Sequence, residues 1–262
     1  MNRALSLWVT VLVIILATAG CGKNVDDKEN KKTVLRIAGS TSMIPVSEKL
    51  ARAYEKLRPG IRIHIEGGDS TLGIKGAASK IVDIGSVSRP LTAEESRMLK
   101  SYKITEDSIS VIVNEKNPVN ALTIDEIREV FSGGINNWSQ VGGFNKPITL
   151  IGREHGSGTY RVFEDIVMNN TPANGKALVM TSTGAVLGTV AGDFNAIGYV
   201  SSNYHAEGVR KLEIHTGNDK SLALKRPLLY VTPATAGELA ADYIDFCAGD
   251  QGRQIIDSYL EK

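Results

Sequence analysis

The chain has 262 residues, with 30 basic and 29 acidic side chains, four histidines and two cysteines, and a formal charge of +1 with histidine neutral. So even a balance, with no basic run inside the chain, excludes the electrostatic footprint of a nucleic-acid binder. Two cysteines exclude a disulfide framework or a cysteine metal site, the histidines form no H-E-x-x-H motif, and no cofactor or metal is expected.

Arg3 gives a short positive start, and Leu5 to Ala19 follow as an almost unbroken apolar run. At about fifteen residues it is shorter than the roughly 20 that a membrane span needs, and it suits the apolar region of a signal peptide. It ends in Thr18-Ala19-Gly20-Cys21, which resembles a bacterial lipobox. The expectation is a lipoprotein signal peptide over 1–20, with the Cys21 thiol acylated and anchored in the cell membrane. An uncleaved anchor helix and a cut elsewhere are the alternatives. Residues 23–32 are polar, charged and free of aromatics, and read as a tether that cannot bury enough apolar surface to order itself. Loss of 1–20 removes one arginine, leaving 29 basic against 29 acidic residues. About 230 residues then remain, enough for two modest domains or one larger one.

Past the tether, strand-like and helix-like segments alternate. Val34–Ala38 is a short apolar strand. Met43, Val46, Leu50, Ala53 or Tyr54, and Leu57 recur at helical spacing until Pro59-Gly60. Ile61–Glu66 alternates as a half-buried strand, Ile74, Ala77, Ala78 and Ile81 suggest a helix, and Ile81–Gly85 a strand. Thr92/Glu95, Thr123/Glu126 and Thr235/Glu238 have capping-box spacing and predict three helix starts. Ser108–Asn114, Ile148–Gly152, Ala177–Thr181, Ala196–Ser201 and Pro227–Thr232 complete the predicted strands, and Cys247 reads as a small core hydrophobe. The alternation predicts an α/β protein.

Three Ser/Thr/Gly clusters sit between a predicted strand and a helix: Gly39-Ser40-Thr41-Ser42, Gly67-Gly68-Asp69-Ser70-Thr71, and Gly152-Arg153-Glu154-His155-Gly156-Ser157-Gly158-Thr159. The helix that the third opens carries Tyr160, Phe163 and Ile166 or Val167 on one face. Helix starts leave backbone N–H groups unpaired at the positive end of the dipole, hydroxyls add donors, and glycine lets an anion approach closely. One such loop is ordinary helix capping; three of a kind, one with an arginine able to fork onto an oxyanion, point to an anion site. A phosphate-binding P-loop does not fit, because no lysine precedes Thr159 and the glycine spacing is wrong. A nucleophile elbow does not fit either, because Ser157 lies directly between two glycines. His155 and Ser157, two residues apart, make a poor base–nucleophile pair.

In this order the clusters resemble the loops of the periplasmic phosphate-binding proteins of ABC importers, from about Val34 to the C-terminus. Val82–Leu91 (VDIGSVSRPL), Phe131–Trp138 (FSGGINNW) and Gly192–Val200 (ending AIGYV) are similar to family stretches, and Arg153 followed by Ser157-Gly158-Thr159 is the strongest piece. The resemblance implies a two-lobed type II periplasmic-binding-protein fold with the ligand clamped in the interlobe cleft. Lobe 1 would take 33–111 plus 226–262, lobe 2 would take 112–225, and crossing strands near Ser110–Asn114 and Lys225–Tyr230 would form the hinge. It further implies an exported, non-enzymatic, monomeric protein that delivers inorganic phosphate to an ABC permease and its ATPase. Carried over by position, the ligand residues are Ser40, Thr41, Ser42, Ser70, Ser88, Arg153, Ser157, Gly158 and Thr159. Ser88 stands where some members have an aspartate that reads the proton of hydrogen phosphate, with Asp69 or Glu154 as substitutes. Arg89 either adds positive potential to the cleft or pairs with a surface acid. Sulfate or molybdate as ligand, a surface anion sensor, and a hydrolase using Ser157 and His155 are the competing readings.

Overall fold

Residues 33–218 and 220–261 are described by the computed structural model; the apolar run, Cys21 and the tether lie outside them. Strand β1 (Thr33–Ser40) runs through a 3-10 turn at Thr41–Met43 into α1 (Ile44–Leu57), β2 (Ile61–Gly68) into α2 (Ser70–Ala78), and β3 (Ile84–Val87) towards α3 (Ala93–Met98). The long β4 (Leu99–Asn114) then leads to β5 (Ala121–Thr123), α4 (Ile124–Ser132), β6 (Thr149–Arg153), α5 (Gly158–Phe163), β7 (Leu178–Met180), α6 (Thr183–Gly192), β8 (Ala196–Ser201), β9 (Val209–Lys211) and β10 (Glu213–His215). The equally extended β11 (Leu224–Pro233) returns, and α7 (Glu238–Ala248) and α8 (Asp250–Leu260) close the fold.

One curled sheet has the order β2-β1-β3-β11-β4-β8-β6-β7, with β9 also on β4, and β5 pairs β10 apart from it. β1 runs parallel to β2 and β3, and β6 parallel to β7 and β8. Between these groups β4 and β11 run antiparallel, from Leu224 opposite Ile109 to Pro233 opposite Leu99, with a bulge at Leu228/Leu229. A separate core lies on each side of this pair. One gathers Leu35, Leu50, Tyr54, Ile84, Tyr230 and Tyr243, the other Ile127, Phe131, Trp138, Phe163, Val167 and Tyr199. The described residues therefore form two lobes on a shared sheet.

The local sequence explains most of these elements. β2 buries Ile63 and exposes Arg62, His64 and Glu66, as alternation at a sheet edge requires. α1 turns Val46, Leu50 and Tyr54 inward, while Leu57 at its end is exposed. The capping boxes at Thr92/Glu95 and Thr123/Glu126 form. The one expected at Thr235/Glu238 does not, since α7 begins only at Glu238 with Gly237 as its cap and no side-chain cap bond. Ile81, assigned by pattern to a helix and a strand, belongs to neither: α2 stops at Ala78, β3 starts at Ile84, and Ile81 is exposed. Past Phe163 the chain widens into a π-helical turn over Glu164–Met168, which buries Val167 and leaves Ile166 partly exposed. α6 and α8 match none of the elements expected from the sequence.

Cys247 lies in the first core, as its neighbours suggested, and burial pushes its thiol up to about 12. With the thiolate as the reactive form, a soluble form of residues 33–262 should resist iodoacetamide at about pH 8. It should label fully once unfolded, a contrast that mass spectrometry reads directly.

Candidate anion-binding site

The loops at the carboxyl ends of the parallel strands meet where the two lobes face each other, the place where open α/β sheets bind ligands. From the first lobe come Thr41 and Ser42 after β1, Ser70 at the start of α2, and Ser88 after β3. From the second come Arg153 at the end of β6, Thr159 in the first turn of α5, and Thr183 at the start of α6. All are buried. Their hydroxyls form a chain across the cleft: Ser42 Oγ lies 3.1 Å from Thr159 Oγ1 and 3.5 Å from Thr183 Oγ1, and Thr41 Oγ1 lies 3.3 Å from Thr183 Oγ1 and accepts the Thr183 N–H at 3.2 Å. Ser70 Oγ accepts the Ser88 N–H at 3.1 Å, and Ser40 Oγ donates to Ser88 Oγ at 2.8 Å. Thr71 binds the Gly156 carbonyl through its N–H and its hydroxyl, both at 3.2 Å, which ties the loops at the rim.

Two glycines make the close approach possible. Gly39 has φ +137°, and a Cβ there would meet the Ser86 carbonyl at 2.2 Å. A Cβ on Gly158 would meet Ser70 Oγ at 2.4 Å and Ser88 Oγ at 2.6 Å. Gly158 thus carries the helix start of one lobe against the hydroxyls of the other.

Arg153 is held from behind. Its Nε and Nη2 donate to the Glu154 carboxylate at 2.9 and 2.8 Å, its Nε also to the Met180 carbonyl at 3.2 Å, and its Nη1 points to Thr183 Oγ1 at 3.5 Å. The Arg153 N–H donates to Tyr199 Oη at 3.3 Å, and the Tyr199 ring stacks on Phe163. That is the physical role of the tyrosine in the AIGYV stretch. The Ser157 Oγ accepts the Tyr160 N–H at 3.3 Å and so caps α5. A hydroxyl that accepts a cap bond still has its proton to give, so the cap does not use up the Ser157 proton.

Both substitute acceptors already have partners: Glu154 is engaged with Arg153, and Asp69 caps α2 by accepting the Leu72 N–H on Oδ1 at 2.7 Å. Arg89 is settled in favour of a pairing. Its Nη1 and Nη2 fork onto Glu95 at 2.7 and 2.8 Å, and these bonds hold the Glu95 carboxyl below its usual range. A carboxyl depressed in the folded state contributes stability above its unfolded pKa, and loses it as pH falls through the folded one. Melting curves from about pH 6 to about pH 3 should therefore show Glu95→Gln losing less stability on acidification than the parent.

Three residues escaped the sequence reading. Thr183 belongs to Thr181-Ser182-Thr183-Gly184, a fourth Ser/Thr/Gly turn between a strand and a helix, and the signal used for the other three would have found it. Thr183→Val should weaken anion binding about 5- to 10-fold by titration calorimetry, the worth of one or two buried hydrogen bonds of about 0.5–1.5 kcal/mol. Arg226 on β11 and Asp107 on β4 form an ion pair at 3.0 Å with both side chains fully buried. Burial pulls the arginine's pKa down while Asp107 supports its charge. Nothing in the strand pattern marked this pair, since a charge in a strand ordinarily faces solvent.

The geometry has relatives. Residues 26–250 match the PBP superfamily domain, and the chain belongs to that superfamily. Among curated proteins it is 26% identical to phosphate-binding protein PstS of Borreliella burgdorferi, over 95% of this chain and 96% of that one, and 25% identical to PstS of Staphylococcus aureus, over 92% and 81%. A crystal structure of a Clostridium perfringens protein assigned as a phosphate ABC transporter substrate-binding protein, with bound phosphate, superposes with TM-score 0.80 at 32% identity, covering 87% of this chain and 98% of that one. An ABC-type phosphate transport receptor from Vibrio cholerae gives 0.68 at 27%, covering 86% and 98%. The expected two-lobed type II periplasmic-binding-protein fold is the fold of this chain.

Proposed function

We propose that this protein captures inorganic phosphate between its lobes, outside the cytoplasm, and delivers it to an ABC permease and its ATPase. The observation that carries the reading is the meeting of four strand-to-helix turns, with the hydroxyls of Thr41, Ser42, Ser70, Thr159 and Thr183, around the Arg153 guanidinium. Relatives of nearly the full length are named for phosphate, and one structure contains it.

In this reading Thr41, Ser42 and Ser70 donate from one lobe, and Arg153, Ser157, Thr159 and the Gly158 N–H from the other. Ser40 and Ser88 complete the wall, and Thr183 joins the set. The lobes are 33–111 with 226–262, and 112–225; the two cores flanking β4 and β11 support a division along these strands, with Ile109 and Val111 already packed in the second core. Ligand binding without chemistry suits a site of donors: its two carboxylates, Glu154 and Asp107, are occupied by arginines, and His155 is exposed beside Tyr160. Lipid attachment at Cys21 and a monomeric state belong to the same proposal, and rest on the sequence alone.

Sulfate and molybdate are the rival ligands, because Ser88 offers no charge to repel a fully ionised anion. Calorimetric titration of residues 33–262 with phosphate, arsenate, sulfate and molybdate tests the reading. Phosphate should bind more tightly than sulfate; equal or weaker binding of phosphate removes the assignment.

A further inference from the structure

We infer that Arg226 is a positioning residue for the anion, which turns the Thr159 proton away from itself and makes it available to the ligand; the inference rests on the anion-binding reading above. Arg226 Nη1 donates to Thr159 Oγ1 at 2.7 Å and lies 3.4 Å from the Ser88 carbonyl, while Nη2 donates to Asp107 Oδ2 at 3.0 Å. Asp107 in turn accepts from Ser201 Oγ at 2.6 Å, Ser202 Oγ at 2.8 Å, Asn203 Nδ2 at 3.2 Å and the Ser108 N–H at 2.7 Å. Five donors on one carboxylate leave it no freedom, so it holds the guanidinium in one place.

A hydroxyl has one proton and two lone pairs, and a guanidinium only donates. Facing Arg226, Thr159 Oγ1 must accept, so its single proton and its second lone pair are turned away from the arginine; Ser42 Oγ lies 3.1 Å from the same oxygen. Without the arginine the hydroxyl is free to rotate and present a lone pair to an oxyanion, which repels it. The same arginine sits on β11 and its partner on β4, the strands that join the lobes. A plain structural role would consist only of pinning those strands together. The two roles differ in one respect: positioning passes through Thr159, and pinning does not.

A double-mutant cycle on the full chain in detergent separates them. Removing Arg226 alone leaves Asp107 charged and buried, so the working variant is Arg226→Gln with Asp107→Asn, which keeps the shape and removes both charges. Its phosphate affinity should fall about 10-fold, the scale of a hydrogen bond to a charged group. In a Thr159→Val background the same pair of changes should have no further effect, to within about twofold (the additivity error of such cycles). An equal loss in both backgrounds assigns the pair to pinning and overturns the inference. If the double variant does not fold, Arg226→Met with Asp107→Leu, which removes both charges and the donor to Thr159, is put through the same cycle and read by the same criterion. Failure of the parent protein to bind any of phosphate, arsenate, sulfate and molybdate is a different result: it removes the functional reading itself, before the cycle begins.

Discussion

Gly158→Ala should bind phosphate roughly 10- to 100-fold more weakly while its ligand-free melting temperature stays nearly unchanged. The added methyl would stand 2.4 Å from Ser70 Oγ, 2.6 Å from Ser88 Oγ and 2.9 Å from the Ser88 carbonyl carbon. The two hydroxyls can rotate away, at the cost of their place in the site; the backbone carbon cannot. Overpacking of this kind costs about 1–3 kcal/mol. All three obstacles belong to the other lobe, so separating the lobes relieves the clash without unfolding either core. Titration calorimetry gives the affinity, and scanning calorimetry with and without phosphate gives the two stabilities. A variant with parental affinity would show that the lobes do not approach along Gly158.

Arg153→Ala should weaken binding at least 100-fold. Two charge-assisted hydrogen bonds are worth about 1.5–3 kcal/mol each. Truncation also leaves the Glu154 carboxylate, with only a fifth of its side chain exposed, unpaired next to an incoming anion. These two causes can be separated. Arg153→Ala with Glu154→Ala should recover part of the affinity lost in the single variant, because the repulsion goes and only the missing donors remain. A double variant as weak as the single one would place the whole effect on the donors. Arg153→Ala binding at parental strength would remove Arg153 from the site.

Much of the architecture was legible because the physics behind it is local. Glycine and hydroxyl residues at the end of an apolar strand announce a helix start that can hold an anion, and the loops carrying Thr41, Ser70 and Thr159 all meet. The fourth, at Thr183, obeys the same local rule, since the apolar stretch Ala177–Met180 leads into Thr181-Ser182-Thr183-Gly184; its strand is only three residues long, with Leu178 and Val179 exposed. α6 itself has three glycines and apolar residues on every face, which leaves no helical period to detect. α8 hides for a different reason: it buries only Gly252, Ile256 and Tyr259. The Arg226–Asp107 pair was out of reach altogether, since 119 residues separate partners joined only by the pairing of β4 with β11. Thr235/Glu238 shows the converse, a spacing that meets a local rule while the helix starts three residues later.

The arginines around the site each have their own carboxylate: Arg153 has Glu154, Arg226 has Asp107 and Arg89 has Glu95. No local surplus of positive charge is therefore set aside for the cargo to cancel. On the proposed reading, the loaded protein differs from the unloaded one by the cargo's whole charge, and becomes an anion where it had been close to neutral.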